Sequence, residues 1–344
     1  MPELRIANWN IEWMNRWFVA DRSAAAFKRS QDVSGVSDLR DLASRVGKVI
    51  DGLEADVLTV QEGPSRLDEM ALFVDSVLGG RWEIVGPAGK GQQKLYALIR
   101  KDSRIIAAHA RLEERDGFDF DDVYEVDIDG DLAVDAYRLT RPPLLVDLTL
   151  TTGRVIELMT LHTKSKYVHN GGNLWNNPAT RPEFIEQALL ARRRISAEAM
   201  RVRTYLNQRF AKDARVALVV TGDFNDGPGL DFFEQRFLTH DLAGLIAGSP
   251  YEPRRMLRHA FVDLVNKEDN YTAIFYDFIE EREKRPLLDH IFVSASLFWD
   301  DAGKRATDGT IEHAIWQASV DDTKPGHREK QPSDHRPQSA LIQV

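Results

Sequence analysis

Short apolar runs with polar residues at their ends recur along the whole chain. Residues 4–11 (LRIANWNI) alternate and are partly apolar, which predicts a first strand with Asn8 and Asn10 near its end. Further short strands are expected at 56–60, 82–85, 95–99 and 104–108, and two more at 144–150 and 155–161, joined by a tight Thr-Thr-Gly turn. Residues 215–220 (RVALVV) are apolar after Arg215 and rich in β-branched side chains, the pattern of a strand buried on both faces. Runs at 261–265, 272–276, 287–294 and 339–344 complete the strands.

Helical spacing appears in three places. Leu39, Leu42, Val46, Val49, Ile50 and Leu53 share one face, with Ser37 or Asp38 as cap. Ser65-x-x-Asp68 is a loose capping-box pattern opening a helix that carries Leu67, Met70, Val74 and Leu78 and stops at Gly79-Gly80. Thr180-Arg181-Pro182-Glu183 is a helix start, and the stripe from Phe184 to Phe210 holds its period for about eight turns. Arg192, Arg193, Arg194, Arg201 and Arg203 fall on its other faces and read as a solvated side. Residues 15–37 have no clear period and read as a surface loop or short helix. Apolar strands interspersed with a few helices predict an α/β protein of two face-to-face sheets with helices outside. No linker or repeat divides residues 1–344, so a single domain is expected.

The acidic stretch 113–135 contains Asp-x-Asp-Gly-Asp at 127–131, but Arg138 stands where an EF-hand loop needs its closing glutamate. An acidic β-hairpin turning at Asp129-Gly130 is the better reading. Composition removes several chemistries. There is no cysteine, hence no disulfide, thiolate zinc site or cysteine nucleophile. The net charge of -9 argues against a general nucleic-acid coating protein, though not against an enzyme that acts on nucleic acid at a local site. Neither a signal peptide nor a run long enough to span a membrane is visible, so a cytoplasmic location without membrane partners is expected.

The chemistry-bearing residues lie at the strand ends. Thr221-Gly222-Asp223-Phe224-Asn225-Asp226 follows the apolar 215–220 run and precedes the loop signal Gly227-Pro228-Gly229. It is either a plain strand-end turn or a place for chemistry. In an extended chain Asp223 and Asn225 would point the same way. Asn10, Glu62, His162, Asp289 and the pair Asp334-His335 occupy similar places. Carboxylates and amides with few soft ligands favour magnesium, manganese or calcium over zinc. Two histidines among them supply a proton acceptor and a donor near neutral pH, and an aspartate beside a histidine fixes its tautomer. Such a set suits attack of water on a phosphoester.

The ordered motifs WNIEW (9–13), QE (61–62), LHTKSK (161–166), GDFND (222–226), LLDHIFVS (287–294) and SDHRP (333–337) resemble the endonuclease/exonuclease/phosphatase superfamily. That group includes pancreatic-type deoxyribonuclease, apurinic-site endonucleases, neutral sphingomyelinases and inositol polyphosphate 5-phosphatases. The resemblance runs from residue 4 to 344 and implies a four-layered α/β-sandwich, two packed, mostly antiparallel sheets flanked by helices, with the site at one edge. It implies Glu62, Asn10 and Asp334 at a site for Mg²⁺, Mn²⁺ or Ca²⁺. It makes His335 the base, Asp289 its orienting carboxylate, and Asp223 with Asn225 the pair that positions water and phosphate. His162 is implied as a phosphate donor and acid. Lys164 and Lys166 resemble residues of bacterial nuclease-type members that meet phosphate, as do Asn10 and Asn225. Gln92 or Gln93 stands where the deoxyribonuclease branch pairs its first histidine with a glutamate, and His162 replaces the tyrosine-bearing motif of the apurinic-site enzymes. The expected activity is metal-dependent phosphodiester hydrolysis, by a nuclease acting on DNA or RNA. The alternatives are a phosphatase or phosphodiesterase on a small or lipid-derived phosphate, and a catalytically silent binding protein.

Overall fold

The computed structural model describes residues 2–20, 24–31, 35–129, 131–228, 230–238, 240–261 and 269–344. Among them, six strands form a first sheet: β1 (Glu3–Asn10), β2 (Val57–Gly63), β3 (Trp82–Ala88), β4 (Lys94–Arg100), β11 (Thr307–Ile311) and β12 (Gln338–Gln343), in the order β11-β12-β1-β2-β4-β3. The second sheet holds β5 (Ile106–Leu112), β6 (Leu144–Leu150), β7 (Val155–His162), β8 (Leu218–Asp223), β9 (Leu257–His259) and β10 (Asp289–Ser294), in the order β9-β10-β8-β7-β6-β5. The pairs β1/β2 and β7/β8 are parallel and the remaining neighbours antiparallel.

Alternation of side chains along the strands builds the layers. Leu4, Ile6, Val57, Ala97 and Ile99 of the first sheet meet Val146, Leu148, Leu158, Val219, Ile291 and Val293 of the second in one apolar core. The opposite face of the first sheet, with Ala7, Trp9, Leu58 and Val60, packs on α1 (Leu39–Gly52) and α2 (Leu67–Val77). The outer face of the second, with Met159, Leu161, Leu218 and Val220, packs on Ile195, Val202 and Leu206 of α3 (Arg181–Lys212). Val219 thus faces the other sheet while Leu218 and Val220 face a helix. That is why 216–220 is apolar without a break. The result is a four-layered α/β-sandwich. No helix among the described residues is long and apolar enough to cross a membrane.

Several elements depart from the sequence expectation for local reasons. β5 starts at Ile106 rather than 104, because Ser103 Oγ accepts the N–H groups of Ile105 and Ile106, both at 3.3 Å, and holds a turn. β8 starts at Leu218, since the Asp213 carboxylate accepts the Arg215 N–H at 2.8 Å and its carbonyl the Val216 N–H at 3.2 Å. The α2 cap is displaced by one residue: Glu69 accepts the Arg66 N–H at 3.1 Å, and Ser65 Oγ donates to the Gln92 carbonyl instead. Asp38 caps α1 as expected, accepting from Arg40 and Asp41. The acidic hairpin exists, but Val126 pairs with Asp135, so its connection spans 127–134 rather than a tight turn at 129–130. There Asp127, Asp129 and Asp131 accept loop N–H groups. Gly130, Gly229 and all of the expected 261–265 strand except Phe261 lie outside the described residues.

Arg192, Arg201 and Arg203 of α3 overturn the solvated-face reading, while Arg193 and Arg194 stay partly exposed. Arg192 and Arg203 are buried, Arg192 against Asp231 and Glu234, and Arg203 against the carbonyls of Ile246, Ala247 and Arg255. Arg201 lies 4.1 Å over the Phe118 ring. Long guanidinium side chains satisfy loop carbonyls while their stems cover apolar surface.

Candidate active site

Strand direction assembles the site. The parallel strands β1, β2, β7 and β8 all end at one edge of the sandwich, and their antiparallel neighbours β12 and β10 begin there. Register then aligns the polar residues: Asn10 is opposite Gln61, His162 opposite Asp223, and Asp223 opposite Asp289. His335 lies three residues before β12 and pairs with Ala273. A polar seam crosses between the sheets beneath the site. Thr59 Oγ1 and Thr221 Oγ1 lie 3.0 Å apart, and Asn8 Oδ1 accepts from Thr59 and Gln61. Each buried polar group in that seam needs such a partner.

At the edge itself, Asn10 Nδ2 donates across the sheets to Asp223 Oδ2 at 3.0 Å. Asp223 Oδ1 accepts the Asn225 N–H at 2.7 Å, and His162 Nε2 lies 3.6 Å from Asp223 Oδ2. Asp289 Oδ2 lies 2.6 Å from His335 Nδ1 and fixes that ring, leaving Nε2 as its free nitrogen, 4.0 Å from Asp334 Oδ1. Backbone bonds hold the dyad: Thr272 Oγ1 accepts the Asp289 N–H at 3.1 Å, Gln338 Nε2 donates to the Asp289 carbonyl at 2.7 Å, and Trp9 Nε1 donates to the His335 carbonyl at 3.0 Å. Glu62 takes a left-handed backbone, φ 58°, and accepts the Trp13 N–H at 2.8 Å. So Asn10, Glu62, His162, Asp223, Asn225, Asp289, Asp334 and His335 do come to one edge.

The electrostatics are those of crowded acids. Burial, then the neighbouring Asp289, push the Asp223 carboxyl up to about 7. Glu12 is pushed up to about 8 by burial and the Asp334 charge, against the Arg328 ion pair. Glu62 is raised mainly by burial, with Asp334 adding to it. His335 goes the other way from a buried imidazole: the charges of Asp289 and Asp334 outweigh desolvation and hold it well above its ordinary value. Burial, with Arg141 beside it, holds His162 well below, so it is a neutral hydrogen-bond donor rather than a standing acid.

The residues fit a hard divalent cation. Glu62, Glu12 and Asp334 offer carboxylate oxygens, the Asp334 charge adding to the raised values of Glu62 and Glu12, and Asn10 Oδ1 is buried with no hydrogen-bond partner among the described residues. Asp223, Asp289 and His335 also lie within ligand reach of one another.

Two expectations change. Lys166 does not face phosphate: its Nζ lies between the buried Asp226 and Glu234 carboxylates. That ammonium also fills the place between the carboxylates of the Asp226, Glu234 and His240 group. Asn225 leaves the strand in a left-handed conformation, φ 51°, and its Nδ2 donates to the Thr163 carbonyl at 3.1 Å, so it braces the loop instead of lying parallel to Asp223. Gln93 does not orient His162, whose Nδ1 has no partner among the described residues; Gln93 Oε1 accepts from Arg141 at 3.3 Å. Lys164 stays at the edge, its N–H donated to Glu198 at 2.9 Å.

Sequence reading missed Glu12 and Arg141. Glu12 accepts the Asp334 N–H at 3.1 Å, and its place inside WNIEW was the available signal. Arg141 donates to the His162 and Thr163 carbonyls at 3.0 and 2.8 Å from a loop without any motif.

The chain matches no protein-family model and no curated protein sequence. Among solved structures, truncated TDP2 of Caenorhabditis elegans aligns at 14% identity over 99% of this chain and 98% of its own, with a TM-score of 0.52. An endonuclease/exonuclease/phosphatase protein from Bacteroides vulgatus aligns at 14% identity over 100% of both chains, TM-score 0.51. The human Nocturnin catalytic domain, solved with a bound sulfate anion, aligns at 15% identity over 99% of this chain and 94% of its own, TM-score 0.54. The chain has the fold of the endonuclease/exonuclease/phosphatase superfamily, as its motifs led us to expect.

Proposed function

We propose that this protein is a phosphodiester hydrolase that requires a divalent cation, Mg²⁺ or Mn²⁺ with Ca²⁺ as a further candidate, and that it acts as a nuclease on DNA or RNA. The observation that carries this reading is the Asp289–His335 pair, 2.6 Å apart, at the same strand edge as Asp223, Asn10 and His162. The sulfate in Nocturnin, a tetrahedral dianion like phosphate, supports a phosphoester substrate on this fold.

Glu62, Asn10 and Asp334, with Glu12 behind Asp334, would hold the cation, which supplies charge to offset that of the phosphate. With Nδ1–H donated to Asp289, His335 is held protonated by the Asp289 and Asp334 charges. With the Asp334 charge offset by a cation it holds, Nε2 is free to take a proton from the attacking water, and Asp289 favours the imidazolium that forms. Asp223, held by Asn10 and the Asn225 N–H, orients that water. Neutral His162 donates from Nε2 to a non-bridging phosphate oxygen, where extra charge accumulates as the bond to water forms; the P–O bond to the leaving oxygen breaks as that bond forms, and the leaving oxygen takes its proton from solvent.

The test is hydrolysis of bis-p-nitrophenyl phosphate, p-nitrophenyl phosphate, and single- and double-stranded DNA and RNA, each with Mg²⁺, with Mn²⁺ and with EDTA. Metal-dependent cleavage of the diester and a nucleic acid, abolished in His335→Ala, is expected. Cleavage of the monoester alone would replace the nuclease with a phosphatase. Unchanged turnover in His335→Ala would remove the proposed base.

A further inference from the structure

A second cavity of about 420 Å³ opens next to the site just described. One wall is the acidic hairpin, with Asp129, Asp135 and Tyr137; the facing wall is Lys164 with Leu190 and Arg194 of α3. It is separated from the catalytic edge by very little chain. Lys164 lies two residues past His162, and Thr140 in the cavity wall precedes Arg141, which donates to the His162 and Thr163 carbonyls. A volume of this order suits one nucleotide, and phosphates along a strand repeat at similarly short intervals.

The cations of this cavity differ from most of the arginines of α3. Arg192, Arg201, Arg203 and Arg209 are each committed to carboxylates, carbonyls or rings. Among the described residues Arg194 has no hydrogen bond or ion pair, and Lys164 Nζ has none either. Both are only partly exposed and line the cavity. Neither cation is hydrogen-bonded or ion-paired through its side chain, although the Glu198 carboxylate lies within electrostatic reach of Lys164, so both can still donate to an anion. Opposite them, the Asp129 and Asp135 carboxylates can accept from amino or hydroxyl groups, and the Tyr137 ring, with Leu190, gives an apolar surface for a flat base. The Tyr137 ring is fixed, since its hydroxyl donates to Glu198 at 3.1 Å, the carboxylate that also accepts the Lys164 N–H.

We propose that this cavity is a subsite for the nucleotide that flanks the cleaved phosphodiester, with Lys164 and Arg194 on its phosphate and the hairpin on its base and sugar. The proposal rests on the hydrolase reading for its substrate and deepens it. The subsite makes a polynucleotide a better substrate than a small diester.

The test uses the full chain carrying His335→Ala, with Mg²⁺, and measures fluorescence anisotropy of labelled single-stranded DNA and RNA oligonucleotides over a salt series. Arg194→Ala should weaken binding about tenfold and lower the slope of log affinity against log salt by about 0.7, the value for one phosphate contact on a single strand. Lys164→Ala should do the same. Neither side chain holds another element, so an unchanged thermal melt is the check on folding. Binding and salt slope unaltered in both variants would overturn the subsite, as would no oligonucleotide binding by the His335→Ala protein itself. If the native chain hydrolyses none of the phosphoesters, yet oligonucleotide binding depends on Arg194, the subsite stands and the hydrolase reading falls. Hydrolysis of nucleic acid with KM insensitive to Arg194 and Lys164 gives the reverse.

Discussion

At the scale of residues, two positions at the catalytic edge separate chemistry from architecture. Asp289 is completely buried, and its Oδ2 is the sole partner of His335 Nδ1 among the described residues. Asparagine keeps the shape but removes the charge and allows the opposite tautomer. Asp289→Asn should therefore lower kcat on bis-p-nitrophenyl phosphate by about 10³–10⁴-fold, the scale of an analogous substitution in a histidine–carboxylate pair, with the far-ultraviolet spectrum unchanged. A loss under tenfold would detach Asp289 from the reaction. Gly222 is different in kind. Its backbone has φ 144°, and a Cβ there would sit 2.0 Å from the Leu161 carbonyl oxygen of β7. Gly222→Ala should destabilise the protein by about 2–4 kcal/mol in denaturant unfolding, because the clash is with backbone that cannot move aside. The glycine of GDFND is required by close strand packing rather than by catalysis.

Among elements, the loop after β8 is anchored by a buried ion network. Lys166, from the loop after β7, lies between Asp226, in the loop after β8, and Glu234, in the helix Phe232–Phe237, and Arg192 of α3 completes it. Asp226 also accepts the Leu242 N–H at 2.7 Å. Removing one member leaves buried charge unpaired, so Lys166→Met should cost about 3–5 kcal/mol by denaturant unfolding, and adding Glu234→Gln should recover part of that loss. Equal stability of Lys166→Met and the native chain would show that the network contributes nothing net. Lysine two residues apart in HTKSK thus serves two ends: Lys166 holds the fold of the loop, while Lys164 stays free for the cavity beside it.

For the molecule as a whole, the proposed cation site would couple to the fold through pH. Glu12 and Asp223 carry protons up to about 8 and about 7, above the values of about 4 they have in an unfolded chain. A raised carboxyl contributes stability that is complete below about pH 4 and is lost as pH climbs through its folded value. The metal-free protein is therefore penalised at this edge between pH 4 and 8, and a bound cation removes the penalty. The rise in melting temperature on adding Mg²⁺ or Mn²⁺ should be larger at pH 8.5 than at pH 5.5, and Glu62→Gln should reduce it. A rise equal at both pH values would separate the acid cluster from cation binding.

Much of this architecture was legible in the chain. The strand and helix periods, the four layers and the residues at the strand ends follow from hydrophobic alternation and from motifs that carry their own spacing, which are local properties. What the sequence left open was decided by contacts between distant segments. HTKSK does not reveal that Lys166 meets Asp226 and Glu234 while Lys164 does not, because their partners lie on other elements. Arg192 and Arg203 of α3 look solvated by period alone and become buried only when Asp231 and the carbonyls at 246, 247 and 255 lie across them. Asn225 looks aligned with Asp223 until the chain turns left-handed there. Arg141 had no local signal at all. The sequence by itself determined which groups stand at the ends of which strands, since alternation and chain order are written locally. Only the tertiary structure decided their protonation, their partners and the cavity beside them, because those depend on burial and on charges brought together from remote parts of the chain.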